Sequence, residues 1–191
     1  MIKLIWNKLR SVNKKLTYRV MEVDDIEFIL SSLRLEAQNG HFTAAFLDDT
    51  EYSKYHTMLM LRANNQIVKM KRSDGSILSL INFFFVFENE KNEKLGFIEL
   101  SEKQEGDFCR DTLEFENVEI MALLVAEKHR GQGYAERFIS MALKELPAKK
   151  TIFARCFQPS IKMVKILERL GFSCINTTSS GSKWMELRVR N

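Results

Sequence analysis

Apolar and polar positions along the 191-residue chain change period several times, and each change predicts an element. Over residues 1–16, Ile2, Ile5, Trp6, Leu9, Val12 and Leu16 fall near one face of a helix, with cations mostly elsewhere. The spacing predicts a basic amphipathic helix, read either as a membrane-surface or partner anchor or as a terminal helix packed on its own domain. Leu16 to Met21 predicts a strand. Asp24 then caps a helix carrying Ile26, Ile29, Leu30, Leu33 and Leu35, which Asn39-Gly40 stops. Asp48-Asp49-Thr50 starts a second helix through Leu61. From Ile67 the pattern turns to strands: a run to Arg72, a Ser-Asp-Gly turn at 73–75, a Phe-rich run to Phe87, a polar loop from Glu88 to Lys94 and a strand from Leu95 to Leu100.

The second half alternates strand and helix: Val118 to Val125, Gly133 to Leu146, Thr151 to Phe157, Ser160 to Leu170, then strands near Phe172 to Ile175 and Lys183 to Val189. That order predicts an α/β domain, one mixed sheet flanked by helices. Pro147 ends one helix and Gly171 the next. No repeat, low-complexity stretch or internal boundary interrupts the chain, which divides into the N-terminal helix, residues 1–16, and a single domain, residues 17–191.

Composition narrows the function classes. A hydrophobic content of 45% with 14 Phe and 9 Met builds a dense core, and 8 Gly with 2 Pro exclude a collagen-like or linker-rich chain. Lys3, Lys8, Arg10, Lys14 and Lys15 meet no acid in the first fifteen residues, so the rest of the chain lacks the excess of cations that a nucleic-acid surface needs. Cys109, Cys156 and Cys174 form no CxxC or Cys/His pair, which argues against a disulfide framework or a zinc site. The longest apolar run, Leu78 to Phe87, is too short to span a bilayer and the N-terminus has no secretory h-region, so a cytoplasmic location is expected.

The informative segment runs from Leu123, Leu124 and Val125 to Arg130, Gly131, Gln132, Gly133, Tyr134 and Ala135. A buried strand here passes through a Gly-rich turn into a helix. Such a turn suits an anion: Gly131 and Gly133 allow close backbone approach, the helix start offers free N–H groups, and Arg130 adds charge. A P-loop is excluded because Gly133 is followed by Tyr134 and Ala135 rather than Lys and Ser or Thr. A dinucleotide fingerprint fails at Glu136, where its third glycine belongs, and no acid follows in Thr151 to Phe157.

Arg130 to Ala135 does match the Q/R-x-x-G-x-G/A loop of the GNAT superfamily of acyl-CoA-dependent N-acyltransferases, behind an L-x-V strand at Leu123 and Val125. Leu167 to Phe172 resembles the family's second signature, which closes with L-G-F. The resemblance is specific over residues 115–172. It implies a mixed, mostly antiparallel sheet in which the strand ending at Val125 splays from the strand 151–157 to form an acyl-CoA groove. It also implies that the pyrophosphate of acetyl-CoA meets the N–H groups of residues 130–135, and that the pantetheine arm pairs with main-chain groups around Leu123, Leu124 and Val125. Tyr134 is then either a packing residue or a wall of that groove. Ser160 stands where many members carry Asn, which gives it a donor-binding and catalytic role by resemblance. Leu167 stands where many carry a Tyr that protonates the leaving thiolate, and Glu127 and His129 replace a common proline and aromatic residue.

Glu119 is the only ionisable residue between Val118 and Val125, and simple alternation puts it on one face with Met121, Leu123 and Val125. It is read either as a general base for an incoming ammonium or as a structural ion pair with Arg155. Glu114 and Glu116 are rim alternatives, and His129 beside Lys128 and Arg130 reads as surface. Cys156, in an apolar strand, reads as an inert thiol. The resemblance assigns Glu36, His41 and Phe42 to the acceptor pocket. It implies transfer of acetyl from acetyl-CoA to a primary amine, small molecule or protein, by direct attack; no metal is expected, and the chain is read as either a monomer or a homodimer. The alternative is a regulatory domain that binds acyl-CoA without turnover.

Overall fold

The computed structural model describes residues 16–64, 67–71, 77–102, 117–146 and 151–188. Nearly all of the amphipathic N-terminal segment, Glu114, Glu116, Cys109 and Pro147 lie outside them. The elements are β1 (Leu16–Val20), α1 (Ile26–Gln38), α2 (Asp49–Asn64), β2 (Ile67–Lys71), β3 (Ile77–Asn89), β4 (Lys94–Glu102), β5 (Asn117–Val125), α3 (Tyr134–Glu145), β6 (Thr151–Cys156), α4 (Ile161–Arg169), β7 (Ser173–Thr177) and β8 (Lys183–Arg188).

Seven strands lie in the order β1-β3-β4-β5-β6-β8-β7, and β2 pairs with the first part of β3. Every pairing is antiparallel except that of β5 with β6. The parallel pair follows from the helical crossover, because only a connection as long as α3 can return the chain to the same end of the sheet.

The period-3.6 stripes explain the layers. Ile26, Ile29, Leu30, Leu33 and Ala37 of α1, with Leu59 of α2, cover one face of the sheet over Phe84, Val86, Phe97, Ala122 and Leu124. Phe138, Ile139 and Ala142 of α3, with Val164 and Leu167 of α4, cover the other over Phe85, Phe87, Ile98, Val118, Ile120, Ile152 and Ala154. Phe138 stacks on Phe87 with ring centroids 3.9 Å apart.

Local chemistry fixes the helix ends. Asp48 Oδ1 accepts from the N–H groups of Thr50 and Glu51, both at 2.9 Å, opening α2 as the sequence predicts. At α1 the predicted cap shifts by one residue: the fully buried carboxylate is Asp25, bonded to Arg19 at 2.5 Å and to the Glu22 N–H at 2.8 Å. A 3-10 turn over Val23–Asp25 inserts before the helix and moves Asp24 outward. Gly171, at φ +94°, ends α4, with the Phe172 N–H returning to the Leu167 carbonyl at 3.0 Å. Among the described residues no helix is long and apolar enough to cross a membrane.

Candidate active site

The pairing of β5 with β6 lasts only from Asn117 with Thr151 to Ile120 with Ala154. Beyond that vertex the strands part, leaving one edge of Met121 to Val125 without a neighbouring strand inside an otherwise continuous sheet. On the other side β5 stays paired to β4, but with a bulge: Glu99 faces Ala122 and Leu100 faces Ile120, so Met121 is an extra residue, half-exposed at 50%. The bulge reverses the side-chain phase of β5. Before it, Val118 and Ile120 face α3 and α4; after it, Leu123 and Val125 do. Glu119 therefore lies on the opposite face, with Ala122 and Leu124 towards α1 and α2, and not with Leu123 and Val125 as uninterrupted alternation predicts.

From Val125 a 3-10 turn over Glu127–His129 leads into the glycine turn. Gly131 and Gly133 adopt φ +76° and +77°, and nothing lies within 4 Å of where a side chain on either would start. Their conformation, rather than crowding, requires glycine, and the space before them is open. The first helical N–H to meet its carbonyl is that of Arg137, on Gly133 at 3.3 Å, so the preceding N–H groups project from the end of α3. Gln132 is exposed, Ala135 half-buried, and Tyr134 is buried in the core beside Phe138. Open space, projecting N–H groups and positive-φ backbone fit a pyrophosphate, and the unpaired edge of Met121 to Val125 fits an extended amide-bearing arm. Arg130 points back to the fork, its Nε donating to the Val125 carbonyl at 3.1 Å and its Nη2 to Glu36 Oε1 at 2.6 Å.

On the α1/α2 face, half-buried Glu119 sits opposite Ser101 of β4 and Phe153 of β6. Arg155 lies over the rings of Phe157 and Trp184, at 5.0 and 5.7 Å. Two rows away is a carboxylate the sequence reading passed over: Glu99, 3% exposed, accepts from Arg62 Nη1 at 2.8 Å and the Tyr55 hydroxyl at 3.0 Å. Burial and the Glu99 charge push the Tyr55 hydroxyl well above its ordinary range. The signal was available, since a lone acid in an apolar strand singles out Glu99 as it does Glu119.

The remaining candidates separate. His41 Nδ1 is 3.0 Å from Ser160 Oγ, joining the loop after α1 to the start of α4. Glu36 is buried and Phe42 packs against the core under α1. His129 is half-buried rather than a surface residue, edge-on to Tyr134 with Nε2 3.4 Å from Glu93. Leu167 is 1% exposed within the core. Burial pushes the Cys156 thiol up to about 11, which keeps it protonated and unreactive. Cys156 and Cys174 are free, and the described residues contain no cluster of three or more metal-ligating side chains.

Fold and site together define an acyltransferase. The model of the acetyltransferase (GNAT) family matches residues 43–172, and the chain belongs to that family. No curated protein matches the sequence. Among solved structures, a domain from Methanocaldococcus jannaschii superposes with a TM-score of 0.64 at 18% identity, covering 92% of this chain and 99% of its own. Spermidine N-acetyltransferase from Vibrio cholerae, in complex with CoA and spermine, gives 0.61 at 17%, covering 91% and 95%. The Salmonella typhimurium protein yncA, with its cofactor acetyl-CoA, gives 0.63 at 15%, covering 93% and 95%.

Proposed function

We propose that this protein transfers an acetyl group from acetyl-CoA to a primary amine by direct attack, with Glu119 as general base. The observation that carries the reading is the fork: hydrogen bonding between β5 and β6 stops at Ile120, and the rest of β5 leads through a 3-10 turn over Glu127–His129 into a turn with two positive-φ glycines. An acyl donor with a pyrophosphate and an amide-bearing arm matches both parts. The pyrophosphate lies against the N–H groups of Arg130 to Ala135, and the arm pairs with main-chain groups of Leu123 and Val125.

The bulge gives the two substrates opposite approaches. Leu123 and Val125 face α3 and α4, whereas Glu119, one residue before the vertex, faces α1 and α2. An amine resembling Lys, with a pKa of about 10.4, arrives protonated and needs a base before it attacks. Glu119 meets it on the face away from the donor, and a main-chain N–H near Leu123 or Val125 stabilises the oxyanion. The acceptor class spans polyamines, aminoglycosides, amino acids, peptide N-termini and protein lysines. The Vibrio cholerae relative, which acts on spermidine, puts polyamines first in the panel.

The test is release of free CoA from acetyl-CoA across those amines, with thermal shift alongside. Acetyl-CoA is expected to raise the melting temperature of the wild type but not of Gly133→Glu, which puts bulk and negative charge where phosphate belongs. Binding without CoA release for any amine overturns the transferase reading in favour of a regulatory acyl-CoA-binding domain. Unchanged binding in a folded Gly133→Glu protein overturns the site itself.

A further inference from the structure

The segment from Glu36 to His41 touches both lips of the fork. On the β5 side Glu36 holds Arg130, which in turn holds the Val125 carbonyl. On the β6 side His41 Nδ1 meets Ser160 Oγ at 3.0 Å. The segment has a fixed course: the His41 N–H returns to the Glu36 carbonyl at 2.9 Å, and Gly40, at φ +74°, packs beside Pro159. His41 is thus placed over the open end of the fork, at the start of the helix that follows β6.

Ser160 is also used in an unusual way. A serine at a helix N-cap ordinarily spends its oxygen on the N–H groups of the first turn. Ser160 occupies the N-cap of α4 but its side chain makes no capping bond, and its hydroxyl is turned to His41 instead. The α4 cap is therefore left to the backbone, and the hydroxyl is committed to the fork.

Thioester transfer expels a thiolate, which leaves as a thiol if a donor stands beside it. The chain has four Tyr, and none stands on α4 or β6. Tyr18 donates to Glu145, Tyr55 to Glu99, Tyr52 lies under Arg34, and Tyr134 is buried against Phe138. Leu167, on the inner face of α4, has no proton to give, and the Cys156 thiol points into the core with Val164 and Leu167. Of the three His, His56 is exposed on α2 and His129 turns to Glu93, which leaves His41 at the fork.

Resting on the acetyl-transfer reading, we propose that the Ser160 hydroxyl protonates the departing thiolate and that His41, acting through Ser160, positions and reloads it. The amine lone pair forms the C–N bond and the C–S pair leaves on sulfur. The acceptor ammonium first gives one proton to Glu119, and the second surplus N–H proton, made acidic in the tetrahedral adduct, leaves to water. The Ser160 Oγ–H proton goes to sulfur, and the imidazolium Nδ1–H proton of His41 replaces it; Glu119 then sheds its proton to water and His41 takes one up, so the cycle releases one proton net and needs no reactant beyond solvent. A hydroxyl alone is a weak acid at neutral pH; a bond from an imidazolium makes it a competent donor. Ser160 is the catalytic residue and His41 the positioning residue.

The test exploits the leaving group. Ser160→Ala, Ser160→Thr and His41→Gln are assayed with acetyl-CoA and with its oxygen-ester analogue, acetyl-oxa(dethia)-CoA, whose alkoxide leaving group depends far more on an acid. With acetyl-CoA, Ser160→Ala and His41→Gln are expected to lower kcat about tenfold with KM for the donor unchanged, and with the oxygen ester about a hundredfold or more. Ser160→Thr, which keeps a hydroxyl, recovers most of the rate. Equal losses on both donors, or a donor KM that rises with kcat intact, overturn the proposal in favour of a structural contact; no loss on either donor overturns it outright. His41→Gln, in a loop, supplies the same readout if Ser160→Ala fails to fold. A wild type that releases CoA with no amine instead overturns the acetyl-transfer reading, and the two failures are told apart by that control.

Discussion

Glu119 is the general base of the proposed reaction, and its replacement by Gln keeps shape while removing basicity. We expect a rate loss of about a hundredfold at neutral pH, shrinking as pH rises towards the amine's own pKa, with acetyl-CoA affinity unchanged. Normal turnover at pH 7 in a steady-state assay assigns the base elsewhere. A second carboxylate sets stability rather than rate. Burial alone pushes the Asp25 carboxyl up, but its bonds to Arg19, the Glu22 N–H and Lys94 outweigh that and hold it at about 2. A carboxylate depressed in the folded state stabilises the fold above its unfolded pKa and loses that contribution as pH falls through the folded value. The contribution is roughly 2 kcal/mol at neutral pH, complete above about pH 4 and lost towards pH 2. Asp25→Asn should therefore unfold at lower urea concentration at pH 7, with the gap to the wild type closing in acid. A gap that is constant from pH 7 to pH 2.5 contradicts the ion-pair account.

At the scale of elements, close packing of α3 on the sheet depends on Gly96. A methyl group there would meet the Leu124 carbonyl at 2.1 Å and the Phe138 ring at 2.7 Å, and the carbonyl belongs to backbone that the β4–β5 ladder holds. Gly96→Ala should cost about 2–3 kcal/mol and lower Tm by roughly 5–10 °C in a thermal melt; a melt within a degree of wild type would show that α3 can lift off the sheet freely. The stripes of α1, α3 and α4 and the glycine turn were legible in the sequence, because each has a local cause: apolar spacing, a cap, or φ beyond the reach of other residues. The bulge in β5 was not. Met121 is one apolar residue in an apolar run, and nothing in Val118 to Val125 marks it as unpaired; the mismatch exists only between β5 and β4. That one residue moved Glu119 to the other face. Contacts between distant segments, such as His41 with Ser160 or Glu36 with Arg130, were equally hidden, since composition and period describe neighbours along the chain only.

The described residues form one sheet with two cores, and the strands bind those cores into a single unit. In β3, Phe84 and Val86 belong to one core while Phe85 and Phe87 belong to the other; in β4, Phe97 and Ile98 divide the same way. Neither helical layer can leave without stripping strands that the opposite layer also needs. Unfolding in urea should accordingly be one transition, with hydrogen exchange at β3, β4 and β5 reporting the same free energy. On the proposed reading acetyl-CoA spans both lips of the fork, at β5 with its turn and at α4, and its binding energy would be shared by the entire unit. At a hundredfold excess over Kd it should raise that single free energy by about 2.7 kcal/mol in all three strands. Ligand-induced protection confined to the glycine turn and α3, with β3 and β4 unaffected in their slowest-exchanging amides, is the result that contradicts a single cooperative fold.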